Sequence, residues 1–310
     1  MRDRALVPDS QPVFILGIMP RCGTNYLSDL LLLHPDCVPR DTVWEDFTIA
    51  HADLLMRYSD RVVQNWDPAW GVCGKTRDEF NASLGSGLSS FLKLHSRGHR
   101  VVSKTPRVDN IDLFFRFFPD APLVILVRDG RAILESGIRS FGWNREANLH
   151  SIARAAKKIG DFKREHDDRV HRYRIVHYED LWQKPAGEMR EILNFLGLET
   201  DTYDFEKAAQ LPIRGSSELV HQSDELLHWD PVDKTPDFDP LSRFEHWSPA
   251  MHYRYNRVAG KHIESLGYQR MDTGRTSLLR RLWNLGLDAG WLLIAAFRPI
   301  HQRMTRRGPT

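Results

Sequence analysis

The stretch from Val13 to Pro35, VFILGIMPRCGTNYLSDLLLLHP, constrains the fold more than any other part of the chain. Val13 to Ile18 is a short apolar run with β-branched residues, the pattern of a strand covered on both faces. Met19 to Thr24 breaks that run, and Leu27, Leu30, Leu31 and Leu33 then recur at helical spacing. A helix opening beside Thr24 or Asn25 aims its unpaired N–H groups and the positive end of its dipole at the loop, so an anion can bind there. Arg21 adds a full charge, Gly23 admits close backbone approach, and the Thr24 hydroxyl is a donor at the helix start. The loop reads as a phosphate site.

It is not the usual triphosphate loop. G-x-x-x-x-G-K-[ST] needs a Lys where Thr24 stands, and five residues rather than four separate Gly17 from Gly23. The customary magnesium ligand is missing with them. A metal-dependent kinase or NTPase is therefore disfavoured, while a metal-free nucleotide-phosphate site is not.

Further along, Pro35 and Pro39 close the first helix and lead into an acidic loop with Asp41, Glu45 and Asp46. These acids are either solvated or include a carboxylate that faces the reacting group as a general base. Residues 48–68 look helical, Gly71 to Lys75 reads as a strand or a turn, and Asn81 to Arg97 as a helix. Arg100 to Ser103 reads as a strand that delivers Lys104 at its end, where open α/β sheets gather ligand contacts. Asn110 to Phe118 has the apolar spacing of a helix packed on the sheet.

Leu123 to Val127 is the cleanest buried strand, with Arg128 at its C-terminal end before an Asp-Gly turn and a helix. Ser136, eight residues on, lies about two helical turns along that helix. An Arg at a strand end and a hydroxyl on the next helix can converge on one phosphate. Arg131 and Arg139 are expected to be solvated or paired with acids.

A polar helix over 147–167, a strand from Arg172 to His177 and a helix from Pro185 to Leu196 continue the alternation. The expected fold is α/β, a P-loop-like, doubly wound and mostly parallel sheet flanked by helices. From Thr200 to Trp247 periodicity is lost, as in a lid or binding loop, and the segment holds the basic, hydroxylic cluster Arg214, Gly215, Ser216 and Ser217. A helix starts at Ser248-Pro249.

Charge is uneven along the chain. Residues 275–310 contain seven Arg and one acid, Asp288, a balance of +6 that leaves −4 of the net +2 for residues 1–274. We therefore divide the chain into an α/β domain over 1–270 and a basic amphipathic helical tail over 271–310. The tail places Leu279, Leu282, Trp283, Leu287, Trp291, Ile294 and Phe297 near one face. Two roles stay open for it: packing on the domain or a twin subunit in a homodimer, and lying peripherally on an anionic membrane. Cys22, Cys37 and Cys73 form neither a disulfide framework nor a metal quartet, and a cytoplasmic setting is expected. No nucleic-acid partner is expected.

These motifs resemble those of the sulfotransferases that use 3′-phosphoadenosine 5′-phosphosulfate (PAPS), particularly the bacterial members and the related protein-tyrosine branch. The resemblance lies in Pro20-Arg21-Cys22-Gly23-Thr24-Asn25 and in Arg128-Asp129-Gly130-Arg131 with Ser136. Lys104-Thr105-Pro106, Tyr178-Glu179-Asp180-Leu181, and Arg214-Gly215-Ser216-Ser217 with Trp247 follow in the same order. It spans about residues 12 to 268. It implies that Arg21, Cys22, Gly23, Thr24 and Asn25 form the loop for the 5′-phosphosulfate, and that Arg128 and Ser136 hold the 3′-phosphate. Tyr178 and the 214–217 cluster would complete the nucleotide site. Lys104 would stabilise the oxygen between phosphate and departing sulfuryl group, Glu45 is the best match for the base, and His34 would pack at the helix end. Members commonly carry Ser or Thr where this chain has Cys22 and Asn25.

The reaction implied is in-line transfer of a sulfuryl group to a hydroxyl of a small-molecule, carbohydrate or lipid acceptor, without a metal. A small-molecule kinase and a non-catalytic nucleotide-binding protein are the alternatives.

Overall fold

The computed structural model describes residues 11–40, 43–71, 73–215, 231, 233–234 and 238–305. Five strands form its sheet: β1 (Val13–Gly17), β2 (Cys37–Pro39), β3 (Arg100–Thr105), β4 (Leu123–Val127) and β5 (Tyr173–His177). Their order is β2-β3-β1-β4-β5 and every pairing is parallel. From β1 the chain crosses to the edge strand β2, returns inward to β3, and then builds outwards on the other side through β4 and β5. The topological switch point therefore falls at the C-terminal end of β1, where open α/β sheets leave a crevice.

Sequence and structure agree closely on β1, β4 and β5. β1 and β4 are buried at every position, which is why each reads as an unbroken apolar run. The strand-or-turn at Gly71 to Lys75 is a turn running into a helix, and the remaining strand is the three-residue β2, which the sequence presents as a loop. So short a strand lacks periodicity of its own; parallel pairing of Cys37 with Arg100 and Pro39 with Val102 defines it. β3 runs on through Lys104 to Thr105, because β1 pairs with it up to that point.

The helices are α1 (Thr24–Leu31), α2 (Ala52–Val63), α3 (Gly74–Leu92), α4 (Phe114–Phe117), α5 (Gly130–Phe141), α6 (Arg145–Glu165), α7 (Tyr178–Gln183), α8 (Pro185–Leu196), α9 (Phe205–Gln210), α10 (Pro249–Tyr255), α11 (Lys261–Glu264) and α12 (Leu278–Thr305). A π-helical turn, Asn256–Gly260, joins α10 to α11. Starts are signalled locally: the side chains of Asp129, Asn144 and Ser248 accept N–H bonds from Arg131, Ala147 and Met251. α3 begins earlier than its apolar pattern suggests, at Cys73 and Gly74. It then approaches α4 so closely that a Cβ on Gly85 would lie 1.7 Å from the Phe117 carbonyl oxygen.

The core centres on β1 and β4, with Phe14 packed edge-on to Phe114 at 5.3 Å and tilted against Phe118 at 4.7 Å. Leu126 in β4 has no solvent exposure and pairs with Gly17 across the sheet. Leu126→Ala is expected to cost about 2–5 kcal/mol of stability, read as a lowered midpoint in urea unfolding.

Candidate active site

Three strand ends meet at the switch point. Beyond β1 the loop Met19–Gly23 turns sharply, with Arg21 at φ 74° and Gly23 at φ 102°. A Cβ on Gly23 would lie 2.4 Å from the Tyr178 ring, so this residue must be glycine for both conformation and space. No side chain caps α1, which leaves the N–H groups of its first turn available to a ligand. Gly23→Ala is expected to lose about 1–3 kcal/mol of stability to backbone strain, read as a lowered midpoint in urea unfolding.

One cavity of about 370 Å³ is lined by Arg21, Gly23, Thr24, Asn25, Glu45, Arg128, Ser136, Tyr178, Arg214 and Gly215. Residues 115 apart in sequence touch there: Arg21 Nε donates to Ser136 Oγ at 3.0 Å. The resemblance assigns these two to opposite ends of the nucleotide, and here they meet in one pocket. Arg128 is buried, donates to the Arg21 carbonyl at 2.8 Å and to the Pro240 carbonyl, and stacks 4.3 Å from the Tyr178 ring centroid. Its Nε has no hydrogen-bond partner among the described residues. That buried donor and the uncapped helix fit an anion.

At the other edge, Lys104 is buried, and its Nζ donates to Asn25 Oδ1 and lies 3.9 Å from Glu45 Oε1. Burial pushes the Glu45 carboxyl above the usual carboxylate range and Asp46 adds to it, although Lys104 pulls the other way. Burial also lowers the Lys104 ammonium below its ordinary range, against the attraction of Glu45 and Asp29. Asp46 has a different task from Glu45. Its carboxylate accepts from Thr48 N at 2.9 Å, from Thr48 Oγ1 at 2.6 Å and from Ser103 Oγ, while Phe47 N donates to Thr105 Oγ1 at 3.2 Å. These bonds clamp the loop carrying Glu45 onto β3.

Not every expected residue faces the cavity. The Cys22 thiol is fully buried, its pKa raised to about 11 by desolvation, and it packs where a Cβ on Gly17 would lie 2.5 Å away. Arg214 lines the cavity but is held by a bidentate pair with Asp29, Nε to Oδ2 at 2.9 Å, and lies 5.1 Å from the Trp44 ring. Ser216, Ser217 and Asp41 lie outside the described residues. Arg131 is buried rather than solvated and pairs with Asp129, with Nε 2.9 Å from Oδ1. His34 accepts from Asp36 N at Nδ1 (3.1 Å), which makes Nε2 the donor to the Glu199 carbonyl (2.9 Å); it is a packing residue at the end of α1. Trp247 is buried and donates to Glu135 Oε1 at 2.7 Å.

Sequence reasoning missed Asp29, Phe47, Arg107, Phe141 and Arg243. All but Asp29 line the cavity. Only Asp29 carries a local signal, an acid on a helix otherwise rich in leucine.

A sequence model described as the sulfotransferase family matches residues 12–202, more than half of the chain. The chain belongs to the sulfotransferase family. Among curated relatives it is 24% identical over 197 residues to protein-tyrosine sulfotransferase 1 of Danio rerio, covering 60% of this chain and 53% of that one. It is 22% identical over 247 residues to the protein-tyrosine sulfotransferase of Drosophila melanogaster, covering 76% of this chain and 43% of the relative. The chain thus spans about half the length of these relatives. The solved sulfotransferase domain from the curacin biosynthetic pathway superposes with a TM-score of 0.52 at 15% identity, covering 84% of this chain and 99% of that one, a likeness of fold. The expected α/β architecture is therefore the sulfotransferase fold, and the chemistry of the family is sulfuryl transfer.

Proposed function

We propose that the protein transfers a sulfuryl group from PAPS to an acceptor hydroxyl, with Glu45 as base and Lys104 and Arg21 as the groups that stabilise the leaving nucleotide. One observation carries this reading: Arg21, Arg128, Ser136 and the open N-terminus of α1 line the same cavity, with the Glu45–Lys104 pair at its edge. PAPS supplies an activated sulfuryl group and, once that is lost, an adenosine bisphosphate with two separate phosphates.

Each residue has a distinct task. Arg128, fixed by two carbonyls and the Tyr178 face, binds one phosphate as a pre-oriented cation, and the first turn of α1 binds the other through backbone N–H groups. Lys104 links the loop to the base through Asn25 and Glu45, so its charge faces the bond that breaks. Donors held in place before reaction stabilise developing negative charge without reorganising. Glu45 takes the acceptor proton, and its raised affinity for protons suits it to that task. Phe47, which lines the cavity two residues after Glu45, gives the acceptor an aromatic wall.

The acceptor can be any hydroxyl that reaches Glu45. Tyrosine phenols, the acceptor class in the names of the relatives above, belong in the screen beside small-molecule, carbohydrate and lipid hydroxyls. The test incubates the protein with labelled PAPS and this acceptor library, alongside calorimetry with adenosine 3′,5′-bisphosphate and with ATP and magnesium. Tight bisphosphate binding with label on one acceptor class supports the proposal. Preference for ATP and magnesium would replace it with a kinase, and bisphosphate binding without transfer to any acceptor would leave a binding protein.

A further inference from the structure

We infer that the outward face of α12 docks on the surface of an anionic lipid bilayer. The helix is amphipathic in the inverted sense. Its polar residues turn inward: Asn284 is buried, and Asp288 bonds Arg254 of α10 at 2.6 Å and Arg257 of the π-helical turn at 2.8 Å. Trp291 stacks on His150 of α6 at 4.3 Å. The apolar stripe expected from the sequence is therefore split: Leu287 and Trp291 lie toward the domain, while Leu279, Leu282 and Trp283 stay exposed.

Leu278, Leu279, Leu282, Leu285, Leu292 and Leu293 instead point outward, each 52–80% exposed. At 100° per residue these side chains fall within an arc of about 140°, with Asn284 on the far side of the helix and Asp288 at the edge of the arc, one turn before Leu292. From Leu282 to Phe297, sixteen residues and about 24 Å of helix, Asp288 is the one ionisable side chain, and it faces the domain. An apolar face of this length in water calls for an occupant.

Charge selects a lipid surface over a second copy of the chain. Arg275, Arg280 and Arg281 stand at one end of the apolar stretch, and Arg298 and Arg303 follow it in sequence. Pairing two such helices, parallel or antiparallel, brings arginine against arginine. An anionic bilayer attracts both ends while its acyl boundary accepts the leucines, and Trp283, 71% exposed, suits the interface between them. Among the described residues no helix is long and apolar enough to cross a membrane, so the helix lies in the plane of the surface.

The experiment is flotation of the full chain with vesicles of phosphatidylcholine alone and of equimolar phosphatidylcholine and phosphatidylglycerol. The expected result is binding to the phosphatidylglycerol vesicles that falls as salt is raised. The double variant Leu282→Glu/Leu293→Glu should bind at least tenfold more weakly. Arg275→Glu/Arg281→Glu, which leaves the apolar face intact, should lose the preference for phosphatidylglycerol. Thermal melting of both variants checks that the domain remains folded. Absence of binding to either vesicle overturns the inference, as does equal binding to both. So does a concentration-dependent dimer in sedimentation that Leu282→Glu/Leu293→Glu dissolves, which would assign the face to a second copy.

Discussion

Replacing Glu45 by glutamine is expected to lower sulfuryl transfer by about two to four orders of magnitude while leaving adenosine bisphosphate binding within a few-fold. Glutamine keeps the size and one acceptor atom of the carboxylate and removes its capacity to take a proton. Loss of the partner charge 3.9 Å from Lys104 leaves that buried amine without its nearest carboxylate. The pH profile carries the sign of the argument. A base works only when deprotonated, so activity falls on the acid side as Glu45 gains a proton, and because burial raises its pKa this limb lies above the ordinary carboxylate range. In the proposed mechanism Lys104 keeps its proton to stabilise the leaving group, and burial brings its loss to lower pH than for an ordinary lysine. The kcat/KM profile should therefore be a bell narrowed from both sides, and Glu45→Gln should flatten the acid limb. Transfer at wild-type rate by this variant would move the base elsewhere.

The second large effect is expected at Arg128. Arg128→Ala should weaken adenosine 3′,5′-bisphosphate binding by about two to three orders of magnitude in calorimetry, as when one partner of a buried charge pair is removed. Arg128→Lys should recover little. A lysine has no planar fork to donate to the Arg21 and Pro240 carbonyls while stacking on Tyr178, so the charge would remain without its orientation. Because Arg128 also holds the carbonyl of Arg21, its loss loosens the anion loop, and transfer should fall with binding. Unchanged affinity in Arg128→Ala would remove the phosphate role from this cavity.

Several of the residues that line the cavity were legible because their signals are local. Arg21, Gly23 and Thr24 follow an apolar strand and precede a leucine-spaced helix, and Arg128 ends the most apolar strand in the chain. Other features were hidden for stated reasons. β2 exists through pairing with β3 rather than through its own three residues. The bidentate contact between Arg214 and Asp29 joins positions 185 apart, so no window of sequence contains it. Cys22 sits in the loop motif but its thiol packs inward, into the space left by the missing side chain of Gly17.

By itself the sequence determined the period of the longer elements, the starts of α1, α5, α8 and α10, and a loop whose backbone and charge suit an anion. Those properties arise from hydrogen bonding and burial among neighbours in the chain. Only the tertiary structure decided that Arg21 and Ser136 touch, that Lys104 lies between Asn25 and Glu45, and that α12 turns its leucines to solvent. The order β2-β3-β1-β4-β5 brings these distant strand ends to one edge, and that order is fixed by which strands pair, a long-range choice no local pattern contains.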